Sequence, residues 1–212
     1  MLATIKICGL RDESAIQTAI DCGAKYLGFV CNYPKSPRNL SPLQLKNTIT
    51  KIKNSTAVKV AVMVNPEDKV INSIQSAINF LQLHGSENNE RIIEIKKKFN
   101  IKIIKAIKIK AAEDLIQLDQ FPDADDLLLD TPAMEKSELF NFELLKNTNI
   151  SSYFLAGGIN INNITQALQY TSKLDISSSL ESEPGIKDLN KIKVFMKKVK
   201  EYAYVKKENS VN

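Results

Sequence analysis

Short apolar runs rich in β-branched residues alternate with longer amphipathic segments along the chain. Several of the short runs are apolar at almost every position, which is typical of strands buried on both faces of a parallel sheet. Eight runs predict strands, over Thr4–Cys8, Tyr26–Val30, Val58–Val64, Phe80–Leu83, Ile101–Ala106, Asp126–Leu129, Tyr153–Ala156 and Leu174–Ile176.

Apolar residues at helical spacing follow each of these strands. They predict helices over Arg11–Cys22, Pro42–Lys53, Pro66–Ile78, Asn88–Phe99, Ala111–Leu118, Phe142–Lys146, Ile161–Tyr170 and Leu189–Tyr204. Ser41 and Asn65 each stand directly before a proline, and a capping side chain before a proline in the first turn marks a helix start.

Eight strands, each followed by a helix, are the element count of a closed (β/α)8 barrel, the TIM barrel. A doubly wound open sheet is the alternative, but it needs a glycine-rich turn after an early strand, and the segment after Cys8 is not one. We therefore predict an α/β fold with a single barrel domain over residues 1–205 and a polar C-terminal tail over residues 206–212. A length of 212 residues suits one domain.

Composition narrows the class of protein. The three cysteines, Cys8, Cys22 and Cys31, have no metal-ligand spacing and leave one out of any pairing, so we expect reduced thiols, a cytoplasmic location and no metal. No stretch approaches the roughly 20 apolar residues of a membrane span, and no leader pattern opens the chain.

The net charge of +5 comes from scattered lysines, which favours a solvated surface over a nucleic-acid interface. A mild positive field suits a small phosphorylated substrate.

Active sites of barrels lie where the strands end and the following loops begin. Gly157 and Gly158 follow the seventh strand, and Ser177 and Ser178 follow the eighth. A glycine pair that opens a helix lets backbone N–H groups approach an anion, and serine hydroxyls add donors. These four residues predict a phosphate site.

Cys8 and Asp130 end the first and sixth strands and form a candidate base and acid. A thiol serves as a base if its surroundings lower its pKa, and a carboxyl serves as an acid if desolvation raises its pKa. Each has a structural alternative: a small core residue for Cys8, a turn cap for Asp130. The guanidinium fork of Arg38 suits a substrate carboxylate or a surface turn, and His84 is the only histidine.

Several motifs occur together and in order along the chain. They are Lys6–Gly9, Leu27–Val30 with Ser36–Arg38, Val60–Asn65, Leu81–Gly85, Leu127–Thr131, Leu155–Asn160, Asp175–Ser178, and Glu181 with Pro184–Asp188. The ordered set resembles the phosphoribosylanthranilate isomerase family, the barrel enzymes of tryptophan biosynthesis.

The resemblance implies an Amadori rearrangement of N-(5-phosphoribosyl)anthranilate without metal or organic cofactor. By match to the family motifs, Asp130 would be the general acid and Cys8 the general base, and Arg38 would hold the anthranilate carboxylate. The phosphate cradle maps onto Gly157, Gly158, Ser177 and Ser178, with Asp175 nearby, and His84, near the mouth, is a second substrate-binding candidate beside Arg38. We expect a monomer or a homodimer.

Two departures from the family pattern keep alternatives open. The segment Pro132–Phe142 contains no glycine, although a mobile lid needs hinges, and Ser179 stands where the family has a glycine. If that position requires a positive φ, the phosphate site is strained. A barrel that binds a phosphorylated ligand without turnover is therefore one alternative. Another alternative is a different sugar-phosphate isomerase or epimerase. Where such enzymes use a histidine-rich metal site, the single histidine of this chain argues against membership in their class.

Overall fold

The structure is a computed structural model that describes residues 3–52, 55–132 and 138–208. Eight parallel strands close a barrel in chain order, and the first strand pairs with both the second and the eighth. The strands are β1 Thr4–Cys8, β2 Tyr26–Val30, β3 Val58–Met63, β4 Phe80–Leu83, β5 Lys102–Lys108, β6 Asp126–Asp130, β7 Phe154–Leu155 and β8 Lys173–Ile176. All eight predicted strands are confirmed, and the closure excludes the doubly wound sheet.

In the part of the chain that the structure describes, six α-helices surround the barrel: α1 Glu13–Cys22, α2 Pro42–Thr50, α3 Asp68–Ile74, α4 Asn89–Phe99, α5 Ile164–Tyr170 and α6 Leu189–Glu208. Two predicted helices are instead 3-10 segments, Ala112–Gln120 and Phe142–Leu145. The first has no fully buried residue, so it lacks the packing that stabilises most α-helices. Helix α6 extends into the predicted tail, and residues 209–212 of that tail lie outside the described residues. Lys53, the predicted end of the second helix, also lies outside the described residues.

One of the two predicted helix caps is confirmed. The Ser41 hydroxyl accepts the N–H of Gln44, and the Gln44 side chain accepts the N–H of Ser41 in return. The prediction for Asn65 is wrong, because α3 begins at Asp68 and the Asn65 side chain accepts the N–H of Ser86 at 2.9 Å. Asn65 thus ties the loop after β3 to the loop after β4.

The capping box gives a stability prediction. Ser41→Ala removes one of the two cap hydrogen bonds and is expected to cost about 1 kcal/mol in the free energy of unfolding. For a chain of this size the midpoint of thermal unfolding should fall by about 2–4 °C, measured by calorimetry. Thr50→Ala, at the other end of α2, is the matched control and should leave the midpoint in place. An unchanged midpoint in Ser41→Ala would contradict the cap.

The inner face of the barrel carries an apolar cluster in the middle and polar side chains toward the C-terminal ends of the strands. Its apolar cluster consists of Val60, Ile104, Ala106, Leu128, Phe154 and Ala156. Because side chains alternate along a strand, the inner positions beyond this cluster carry Cys8, Gln82, His84 and Asp130. The packed interior therefore becomes a polar floor at the C-terminal ends of the strands.

A short antiparallel hairpin, β9 Glu181–Glu183 with β10 Ile186–Lys187, follows β8 and was not predicted from the sequence. Gly185 turns it with φ +85°, and a Cβ there would lie 2.4 Å from the Pro37 carbonyl oxygen. The hairpin therefore packs directly on the loop that carries Arg38. Within the described ranges, no helix is long and apolar enough to cross a membrane.

Candidate active site

A cavity of about 520 Å³ opens at the C-terminal ends of the strands. This volume is in the range of small-molecule sites. All nine site residues predicted from the sequence line it: Cys8, Arg38, His84, Asp130, Gly157, Gly158, Asp175, Ser177 and Ser178. Closure of the barrel thus brings together residues from β1, β6 and β8 and from the loops after β2, β4, β7 and β8.

Cys8 ends β1 on the cavity floor and is only 7% exposed. Burial raises the pKa of the Cys8 thiol above its usual value, although the ammonium groups of Lys6 and Lys187 pull in the opposite direction. The lowered pKa that would ease its use as a base is therefore not found. Because the thiol is hard to ionise, its thiolate is a strong base for a proton on carbon.

Asp130 ends β6 with its two carboxylate oxygens in different surroundings. Oδ1 accepts the N–H of Thr131 at 2.8 Å, which is the turn-capping role. Oδ2 lies 3.5 Å from His84 Nε2. His84 Nδ1 in turn lies 3.3 Å from the amide nitrogen of Gln82, so the imidazole lies between Gln82 and Asp130. One oxygen fixes the carboxyl group while the other lies beside the imidazole of His84.

Arg38 meets the hairpin across the cavity mouth. Its Nε and Nη2 donate to the two carboxylate oxygens of Glu181, each at 2.7 Å. Lys187 also donates to Glu181, at 2.7 Å, and to the carbonyl of Ser177. Burial opposes the charge on Glu181, but Arg38 and Lys187 outweigh it and hold the pKa of Glu181 below its usual value. Glu181 takes two of the five guanidinium donors, which fixes the plane of Arg38.

The predicted phosphate residues lie at the side of the cavity formed after β7 and β8. Gly157 and Gly158 both have left-handed backbones, with φ +83° and +60°. A Cβ on Gly158 would lie 2.6 Å from the carbonyl oxygen of Glu138, so only glycine fits. Helix α5 begins at Ile164 rather than Ile161, so the glycine pair does not open the helix directly. The Ser177 hydroxyl donates to the Cys8 carbonyl at 3.2 Å.

Neither departure from the family pattern disturbs the part of the site that the structure describes. Ser179 lies in a 3-10 turn, Ser178–Leu180, and is not among the residues with positive φ. Its hydroxyl donates to the Ile159 carbonyl at 2.6 Å, so the turn is pinned to the loop after β7. In the glycine-free loop, residues 133–137 lie outside the described residues, and Phe140 donates its N–H to the Gly157 carbonyl.

Comparison with known proteins decides the family. Residues 5–198 match the family model described as N-(5′-phosphoribosyl)anthranilate (PRA) isomerase. An N-(5′-phosphoribosyl)anthranilate isomerase of Agrobacterium fabrum is 36% identical over 216 residues, 96% of this chain and 97% of the relative. This chain belongs to the phosphoribosylanthranilate isomerase family. It is accordingly an isomerase of tryptophan biosynthesis built on a TIM barrel.

Solved structures of phosphoribosylanthranilate isomerases share the fold. That of Thermotoga maritima is 30% identical with a TM-score of 0.84, over 94% of this chain and 99% of that chain. The Thermotoga enzyme is described as dimeric. Another isomerase structure, 29% identical with a TM-score of 0.80 over the same shares, is in complex with reduced 1-(o-carboxyphenylamino)-1-deoxyribulose 5-phosphate.

Three charged residues of this phosphoribosylanthranilate isomerase fold were missed as site residues. Glu181 binds Arg38 from the hairpin, Lys187 donates to the same carboxylate, and Lys6 lies fully buried on the inner face of β1. The signal for Lys6 was available, because it is two residues before Cys8 and a strand repeats every two residues. Among the described residues, no group of three or more His, Cys, Asp or Glu side chains is placed to hold a metal ion.

Proposed function

We propose that the cavity performs the isomerisation as an Amadori rearrangement, with Asp130 as general acid and Cys8 as general base. The observation that carries this proposal is that the two side chains, 122 positions apart in sequence, line one cavity from the ends of β6 and β1. The cavity also holds a glycine pair suited to phosphate and an arginine suited to a carboxylate.

The first step opens the ribose ring. Asp130, in its acid form, gives its proton to the furanose oxygen, and the bond between that oxygen and C1 breaks. The lone pair of the anilino nitrogen moves into the bond to C1 and forms an iminium ion. Asp130 suits this role because it lines the cavity, with Oδ1 held by Thr131 and Oδ2 beside His84.

The second step moves a proton from C2. The Cys8 thiolate takes the C2 proton, and the electron pair forms a double bond between C1 and C2 while the iminium nitrogen becomes neutral. The resulting enolamine then loses its hydroxyl proton and gains a proton at C1, which gives the ketone. A hydrogen has moved from C2 to C1 with no net oxidation, so the step needs no further reactant.

Binding groups at two sides of the cavity orient this chemistry. We assign the phosphate to the loops that carry Gly157, Gly158 and Ser178, where left-handed backbones allow close approach of an anion. The anthranilate carboxylate goes to Arg38, whose remaining N–H groups are oriented by Glu181. The substrate then extends from one side of the cavity to the other, over Cys8 and Asp130.

A turnover assay tests the proposed function. The purified protein is added to enzymatically generated phosphoribosylanthranilate, and loss of substrate fluorescence is followed; we expect steady turnover. The gene should also restore growth of a tryptophan auxotroph that lacks this step. Thermal stabilisation by a phosphorylated product analogue without turnover or rescue would instead identify a binding barrel and refute the proposal.

The carboxylate assignment gives a separate prediction. Arg38→Lys keeps the charge but loses the planar fork, so KM should rise by about 10- to 100-fold while kcat changes less. Arg91→Lys, on α4 and paired with Asp68 outside the cavity, is the matched control and should keep KM. Steady-state kinetics of the two variants check this. An unchanged KM in Arg38→Lys would remove Arg38 from substrate binding.

We further propose that the isomerase acts in the cytoplasm as a monomer or homodimer. Cys8, Cys22 and Cys31 are all free thiols, which suits a reducing compartment. Every residue assigned a role here belongs to one chain, so catalysis requires no residue from a second copy. Light scattering after size exclusion, with activity measured on each fraction, tests the assembly; activity confined to a larger oligomer would contradict it.

A further inference from the structure

A buried charge lies directly beneath Cys8. Lys6 is completely buried on the inner face of β1, and its ammonium donates to Asp175 Oδ2 at 2.8 Å. The register of β1 against β8 sets Lys6 opposite Asp175, so the pair is built into the closure of the barrel. Burial works against the charge of Lys6, but Asp175 and Cys8 outweigh it and hold the pKa of Lys6 above its usual value.

Gly28 brings the Lys6 ammonium and the Cys8 sulfur together. This glycine occupies the neighbouring inner position on β2, and its register partner on β1 is Cys8. A Cβ added at Gly28 would lie 2.9 Å from Cys8 Sγ and 3.1 Å from Lys6 Nζ. Both atoms therefore border the space that a larger residue would fill, so the ammonium charge lies beside the sulfur while it donates to Asp175.

We propose that Lys6 is a positioning residue for the base: its ammonium is shared between the Cys8 sulfur and the Asp175 carboxylate, and this sharing decides how much of Cys8 is thiolate. The inference deepens the proposed function and rests on it for its catalytic meaning. Asp175 then has a role beyond the phosphate region to which the family resemblance assigned it, because it competes with Cys8 for the ammonium.

Charged groups face Cys8 from four elements. Lys6 lies on its own strand, Asp175 on β8, Lys187 on β10 and Arg38 in the loop after β2. Lys187 and Arg38 are both bound to Glu181 in the hairpin and stay unchanged in the variants below. The variants change only Lys6 and Asp175. The Lys6 ammonium stabilises the Cys8 thiolate, whereas the Asp175 carboxylate destabilises it.

The test measures ionisation of Cys8 without relying on turnover. In a background with Cys22→Ser and Cys31→Ala, the rate of alkylation by iodoacetamide is followed against pH, because the thiolate is the reacting form. Lys6→Met should raise the midpoint by about one pH unit or more, with roughly tenfold slower alkylation below it. Asp175→Asn should shift the midpoint in the opposite direction, because it leaves the ammonium to the sulfur alone.

Opposite shifts distinguish this role from a structural one, since general disruption would move both variants the same way. If Lys6→Met does not fold, the double variant Lys6→Met/Asp175→Asn removes both buried charges, and its midpoint should lie above that of Asp175→Asn. An unchanged midpoint, or shifts of the same sign, would overturn the inference. Opposite shifts in a protein without isomerase turnover would uphold the charge sharing and refute the proposed function separately.

Discussion

Asp130→Asn is expected to lower kcat by about 10²- to 10⁴-fold, the usual contribution of one general acid. Asparagine has nearly the same shape, and its amide oxygen can still accept the N–H of Thr131, so the turn after β6 should keep its geometry. It cannot supply the acidic proton that ring opening requires. Because Asp130 is not assigned to substrate binding, KM should change little. Steady-state fluorescence kinetics measure both constants.

Asp126→Asn is the matched control for this variant. Asp126 lies on the same strand and the same inner face, four residues earlier, where it is bonded to Lys173 at 2.6 Å at the opposite end of the barrel. Its loss should lower the unfolding temperature, because Lys173 is left without its partner, while kcat stays near the wild-type value. Near-normal kcat in Asp130→Asn, or equal losses in both variants, would exclude Asp130 as the acid.

The barrel and the position of the strand-end residues at its cavity could be predicted because both follow from periodicity. Apolar runs of strand length alternate with helical spacing eight times, and closure of such a chain forces all strand ends to one mouth. Residues as distant in sequence as Cys8 and Ser177 were therefore expected together, and the structure places them within hydrogen-bond distance.

What could not be predicted depends on contacts between distant segments. The pairing of Lys6 with Asp175 spans 169 positions and needs the register of the closing strands, which no local pattern contains. Burial of Cys8, and with it the direction of its pKa, follows from that same packing. Asn65 has the local signature of a helix cap, but its side chain is recruited by the loop after β4 instead.

Cys8→Ala should also reduce kcat by about 10²- to 10⁴-fold, because alanine fits the buried position yet has no group to accept the C2 proton. Cys31→Ala is the matched control: Cys31 is likewise buried in the barrel wall, and burial raises its pKa to about 11, but it does not line the cavity. That variant should keep its turnover. Comparable losses of kcat in Cys8→Ala and Cys31→Ala would mean that kcat falls because the packing of the thiol is lost, and not because the base is lost.

The pH dependence of kcat/KM sharpens this prediction. The ratio of kcat/KM in the wild type to kcat/KM in Cys8→Ala, taken at each pH, isolates the part of the rate that needs the thiolate. Since burial raises the pKa of Cys8, the thiolate fraction, and with it this ratio, should still be rising with pH at the ordinary thiol value of about 8.5. Measurement of both proteins over the same pH series checks this. A ratio that does not change with pH would mean that Cys8 is not the base.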